Sequence, residues 1–173
     1  MRIPLKRLLL WGALILVLDL ASKWATNAFL PLMAVSTPLY PYGGIPVFRN
    51  FLGIEFSLSH LTNTGAAWGA FGDKTFWLLT LRLLLISGLI VFYLRFNQVP
   101  KRQIPLTLII AGALGNVLDL AFYGHVIDMF HFIFWGYDYP VFNIADSAIC
   151  IGAASLILSR KTQRRMPNEQ RAG

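Results

Sequence analysis

The chain has 173 residues, enough for one domain, of which 56% are hydrophobic and 13% charged, with a mean hydropathy of +0.59. That balance excludes an ordinary soluble domain and indicates an integral membrane protein. The net charge of +7 does not indicate nucleic acid, because the cations lie in short clusters between apolar runs and not along one face.

The chain opens with Arg2, Lys6 and Arg7 and then runs uncharged from Leu8 to Leu18. This is how a secretory signal peptide begins, but the apolar run continues through Asp19 to Leu30 with no clear A-x-A cleavage site. A retained spanning helix over 8–30 is expected. Asp19 and Lys23 are four residues apart, so they share a face and can pair. A structural ion pair and a role at a site both remain open.

The segment 31–75 does not span a membrane. Pro31, Pro38, Pro41 and Pro46, with Gly43 and Gly44, break any helix. Ile54, Phe56 and Leu58 alternate with Glu55, Ser57 and Ser59, the pattern of a half-buried strand. A small sheet and a short interfacial helix are expected on this side. The sheet's apolar face would meet the protein's own helices, lipid or substrate. The run from Asn63 through Thr64 and Gly65 is a turn signal with a polar entry residue.

The second span is expected over 76–96, with Arg82 inside it. Arg82 alone would pair with an acid or snorkel to an interface. The third span, 104–122, carries Asn116 and Asp119 on one face. Gly112 and Gly115 suit close helix packing there. Segment 123–140 is crowded with aromatic residues from Phe130 to Tyr139, suited to an interfacial belt or to a short lid over a site. The fourth span, 141–158, carries Asn143 and Asp146, three apart. A basic tail, 159–173, follows.

Positive charge marks the cytoplasmic side. The N-terminus, the loop after Phe96 and the C-terminal tail are basic, so four spans with both termini cytoplasmic are expected. At 1.5 Å per residue, Asp119 and Lys23 then lie about 22 Å along their helices from the inner end. Asp19 lies at about 16 Å, and Asp146 about 8 Å in from the outer end. Asp128 and Asn63 fall in outer segments. One pocket open to the outer face accounts for this coincidence of depth.

Two neighbouring carboxylates tend to share one proton. The charged one can take a proton from water while the neutral one donates to a carbonyl oxygen, which is aspartic peptidase chemistry. His60, His125 and His131 show no zinc-ligand spacing. Ser147 and Cys150 have no histidine in their segment, and the single cysteine excludes an internal disulfide. Spacing alone does not choose Asp128 with Asp146 over Asp119 with Asp146. Nor does it separate a peptidase from a small proton- or ion-coupled transporter, or from a scaffold with structural polar pairs.

Five ordered blocks go further. Leu18-Asp19-Leu20-Ala21-Ser22-Lys23, Asn63-Thr64-Gly65-Ala66-Ala67-Trp68, Gly112 to Asp119, Gly124-His125-Val126-Ile127-Asp128 and Phe142-Asn143-Ile144-Ala145-Asp146-Ser147-Ala148 resemble those of the prolipoprotein signal peptidase (signal peptidase II) family. That family comprises aspartic peptidases of the bacterial inner membrane. The resemblance implies that Asp128 and Asp146 form the catalytic pair. It implies that Asn63, Gly65, Asn116, Asp119 and Asn143 line or support the site, with Asp19 and Lys23 structural or site-supporting. The implied substrate is a prolipoprotein carrying diacylglycerol on a cysteine, cut just before that cysteine. Membrane lipid is the other implied partner, no cofactor is implied, and a monomer is expected. The chain departs from the family pattern at Leu120, where an arginine is usual, and at Leu20, where a glutamine is usual. Arg82 is the candidate to replace that arginine.

Overall fold

The computed structural model describes residues 3–33, 44–64, 75–97 and 99–164. Its elements, in chain order, are α1 (Leu5–Phe29), β1 (Gly44–Phe51), β2 (Ile54–Asn63), α2 (Thr75–Val91), α3 (Gln103–Tyr123), β3 (Val126–Phe134), β4 (Tyr137–Asp138) and α4 (Ile144–Arg164). A π-helical turn, Phe92–Phe96, continues α2, and a 3-10 turn, Pro100–Arg102, leads into α3. Three helical stretches, Leu5–Phe29, Leu79–Phe96 and Pro100–Tyr123, are long and apolar enough to cross a membrane. The apolar part of α4, Ile144–Ser159, is shorter.

The helices are inside-out relative to those of a soluble bundle. In α1 the buried residues are Leu8, Asp19, Lys23 and Thr26, while Leu9, Leu10, Trp11, Val17 and Trp24 face outward. Apolar side chains gain nothing by leaving lipid, so the polar stripe turns inward and small residues bring helices together. At the α3–α4 contact a Cβ on Gly112 would collide with the Ala145 carbonyl. One on Gly115 would lie 2.5 Å from Asp19 Oδ2. Gly115→Val is therefore expected to push Asp19 and α4 apart. Its overpacking cost of about 1–3 kcal/mol should lower Tm in detergent by roughly 3–10 °C.

The four strands form one antiparallel sheet in the order β1-β2-β3-β4. β3 occupies the aromatic segment in which a belt or lid was expected. The connection to β4 is the two-residue turn Trp135-Gly136, both with positive φ (48° and 84°), the type I′ geometry that matches strand twist. The expected alternation in β2 is real, but its faces are exchanged. Ser57 and Ser59 are buried, while Ile54, Phe56 and Leu58 are half-buried. The serine face lies with His131 of β3, whose Nδ1 is 3.5 Å from Ser57 Oγ. On the other face Phe56 stacks on Phe132 at 4.4 Å, and Phe132 stacks on Phe142. The aromatic face is thus covered by neighbouring rings and the loop before α4. Among the described residues the segments 31–74 and 124–140 hold strands and no helix, and 65–74, which includes Gly65, lies outside the described residues.

The fourth helix starts at Ile144, three residues later than expected. Asn143 stands just before it as a cap. Its Oδ1 accepts from Asp146 N at 2.8 Å, and Asp146 Oδ2 accepts from Asn143 N at 3.4 Å. This reciprocal capping box satisfies two backbone donors that the helix itself leaves unpaired.

Candidate active site

Lys23 is the hub beneath the site. Its ammonium lies 2.7 Å from Asp19 Oδ2 and 2.8 Å from Asp119 Oδ2, and it donates to Asn116 Oδ1 at 3.0 Å. Three N–H donors thus meet three oxygen acceptors, as a fully buried ammonium requires. Lys23, Asp19 and Asp119 are each 1% exposed.

The two acids of this hub also hold the backbone beside two further aspartates. Asp19 Oδ1 accepts from Ala145 N at 2.8 Å, one residue before Asp146. Asp119 Oδ2 accepts from Ile127 N at 3.3 Å, one residue before Asp128. The pair in α1 and α3 therefore fixes where β3 and α4 deliver their carboxyl groups.

Two asparagines connect the hub to those carboxyl groups. Lysine can only donate, so the Asn116 atom facing Lys23 is the oxygen, and its Nδ2 must turn the other way. It donates to Asp146 Oδ1 at 2.8 Å. Asn143 Nδ2 donates to Asp128 Oδ1 at 2.7 Å and to Asn116 Oδ1 at 3.1 Å. Asn63, at the end of β2, donates to Asp128 Oδ2 at 3.5 Å. Asn143 is thus bonded to Asp128 through its side chain and to Asp146 through its cap.

Asp128 and Asp146 line one cavity of about 520 Å³ with Asn63, Arg82 and Asn116. Tyr137 and Tyr139 border it from the β4 side, so only these two of the expected aromatic lid reach the site. Burial and the neighbouring Asp146 push the Asp128 carboxyl from its ordinary 3.8 up to about 7, against the bonds from Asn63 and Asn143. Arg82 is close enough for its charge to act on Asp146 and Asp128. Leu120, at the position where the family pattern usually has an arginine, is buried in α3. Among the described residues no group of three or more His, Cys, Asp or Glu side chains is gathered as a metal site.

Asn63, Asn116, Asp119, Asn143, Asp128, Asp146, Asp19, Lys23 and Arg82 are thus gathered around one cavity and its floor. Asp119 is engaged by Lys23 and Ile127 N, whereas Asp128 lines the cavity with Asp146. The cap at Asn143 was missed, although an Asn-x-x-Asp spacing before an apolar run is a helix-start signal. Tyr137 and Tyr139 carried no local signal beyond being aromatic.

An acid pair in a cavity among apolar helices, lined in part by a small sheet, fits a membrane-embedded enzyme, and similarity to known proteins assigns that class. The chain belongs to the signal peptidase (SPase) II family, whose profile matches residues 12–161. It is 36% identical over 169 residues to the lipoprotein signal peptidase of Pseudoalteromonas translucida, covering 94% of this chain and 93% of that one. It is 36% identical over 152 residues to that of Staphylococcus epidermidis, covering 87% and 86% of the two chains. A solved bacterial membrane enzyme shares its fold with a TM-score of 0.77 over 96% of each chain at 24% identity. The chain is accordingly a bacterial membrane peptidase, and the transporter reading finds no support.

Proposed function

We propose that this chain removes the signal peptide of diacylglyceryl-modified prolipoproteins, cutting just before the lipidated cysteine, with Asp128 and Asp146 as the catalytic pair. The observation that carries the reading is Asn143, which bonds to both aspartates at the edge of one cavity. Asp146 receives N–H donors from Asn116 and from the start of α4, where the helix dipole favours negative charge. Asp128, near 7, holds the shared proton. Asp146 takes a proton from water as the oxygen attacks the scissile carbonyl, and Asp128 donates its own to the carbonyl oxygen. Collapse of the tetrahedral intermediate breaks the C–N bond, and a carboxyl returns a proton to the leaving amine.

In this reading α4 is the fourth span, both termini are cytoplasmic, and the sheet and cavity face the outer side of the inner membrane. The protein acts as a monomer, with the substrate's acyl chains remaining in lipid. Purified protein in detergent should cut a diacylglyceryl-modified precursor and leave the same precursor without lipid intact. Equal cleavage of both would reject the substrate assignment.

Arg82 stands in for the arginine absent at Leu120. It reaches the same cavity from α2 and anchors substrate carbonyl or headgroup oxygens there. Arg82→Ala is expected to raise KM several-fold, as loss of one charged hydrogen bond worth about 1.5–3 kcal/mol would do. Unchanged kinetics would remove Arg82 from the site.

A further inference from the structure

A second cavity, about 470 Å³, lies at the opposite end of the bundle. It is a groove between α1 and the end of α2, floored by α3. Both α1 and α2 pack on α3, with little contact between each other, so a cleft opens between them. Small residues deepen it: Gly12 and Ala13 on α1 and Ala111 on α3. Its lining is almost wholly apolar, with Thr107 and the Tyr93 phenol as the polar exceptions. Tyr93 and Leu94 reach it from the π-helical turn Phe92–Phe96, a distortion that recurs at functional sites. From Leu5 to Leu16 the groove runs about 16 Å along α1, close to one leaflet of a ~30 Å hydrocarbon core.

The end of the groove is cationic. Gln103 pairs with the backbone of Ile3 through both its amide atoms, at 2.8 and 3.4 Å, and so latches the N-terminal segment to the start of α3. This brings Lys6 and Arg7, beside the lining residues Leu5 and Leu8, to the same end as Lys101 and Arg102. Arg95 follows the lining residue Leu94. No Asp or Glu occurs in 3–18 or 84–118. Among the described residues none of these five cations makes an ion pair within the chain.

We propose that this groove binds one anionic glycerophospholipid, with an acyl chain between α1 and α2 and its phosphate at the cationic rim. A neutral lipid would fill the apolar trough equally well but would leave the rim without a counter-charge. Basic side chains at a membrane surface attract anionic headgroups, which makes headgroup charge the distinguishing property. The site is separate from the peptidase cavity and does not depend on its assignment.

Native mass spectrometry of the purified full chain in detergent, with equimolar phosphatidylglycerol and phosphatidylcholine of identical chains, tests this. Wild type should retain one phosphatidylglycerol about tenfold more than phosphatidylcholine. Arg95→Gln combined with Lys101→Gln should bring the two lipids level. Ala13→Phe, which fills the trough from an exposed position, should remove both adducts. Equal retention of the two lipids by wild type overturns the proposal. So does undiminished phosphatidylglycerol selectivity in the double charge variant, which tests the proposal even if Ala13→Phe does not fold. A dimer that Ala13→Phe dissociates would assign the groove to a second copy of the chain instead.

Discussion

Asp128→Asn and Asp146→Asn should each leave a folded protein whose cleavage of a diacylglyceryl precursor falls more than ~100-fold, the scale of a lost general acid or base. The two variants should separate in stability. Burial and Asp146 raise the Asp128 carboxyl to about 7 from 3.8, so between those values the folded chain holds a proton that the unfolded chain releases. The group's contribution to stability therefore falls as pH rises from about 4 to 7 and stays at its minimum above. The amide introduced by Asp128→Asn cannot ionise, still offers an oxygen to Asn143 Nδ2, and turns its NH2 only towards Asn63, whose side-chain amide can rotate to accept it, so this variant should have a higher Tm than wild type at pH 8. That gain should shrink towards pH 4. At Asp146 both oxygens accept N–H donors, from Asn116 Nδ2 and Asn143 N. An amide has one oxygen and would set its NH2 against one of those donors, so Asp146→Asn should melt below Asp128→Asn. A more heat-resistant and inactive Asp128→Asn separates catalysis from folding, which a scaffold of structural polar pairs does not predict. Activity within tenfold of wild type in either variant would dismiss the acid pair.

What the sequence made legible follows from which physics is local. Apolar runs bounded by Arg, Lys and Pro gave the helices to within a few residues, because hydrocarbon thickness sets span length. Polar residues at helical spacing, Asp19 with Lys23 and Asn116 with Asp119, marked the inward faces, because lipid tolerates such groups nowhere else. β3 was not legible. Apart from Asp128 and His131, Val126 to Phe134 is apolar on both faces, so its period is hidden, and Trp-Gly is not a common hairpin turn pair. The burial of Ser57 and Ser59 was hidden as well, since it depends on His131 from a strand more than seventy residues away. The different placement of Asp128 and Asp119 was equally non-local. Both are aspartates near an apolar run, and what tells them apart is that Lys23 of α1 engages Asp119 while Asp128 lines the cavity.

Removing the ammonium of Lys23 should have the largest effect on stability of any single change. Lys23→Met keeps the apolar stem and deletes the charge, leaving Asp19 and Asp119 buried beside each other without a counter-ion. Breaking such a pair costs about 3–5 kcal/mol. The damage reaches Asp128 and Asp146 by a traceable route. Without Lys23 the Asn116 oxygen keeps only the 3.1 Å bond from Asn143 Nδ2, so its amide is held less firmly and its bond to Asp146 loosens. Asp19 and Asp119, driven to protonate or to move, release Ala145 N and Ile127 N, the anchors one residue before Asp146 and Asp128. Cleavage should therefore fall in Lys23→Met even at temperatures where the variant remains folded. Adding Asp19→Asn and Asp119→Asn to Lys23→Met removes the unpaired charges while keeping an oxygen for each backbone anchor. This triple variant should regain more than half of the lost stability in denaturant titrations in detergent. A Lys23→Met protein within about 1 kcal/mol of wild type would mean that the two carboxyl groups do not need its charge, as neutral or shared-proton acids would not. The hub would then be a hydrogen-bonded spacer, and only the cleavage rate would reveal its hold on the aspartates above it.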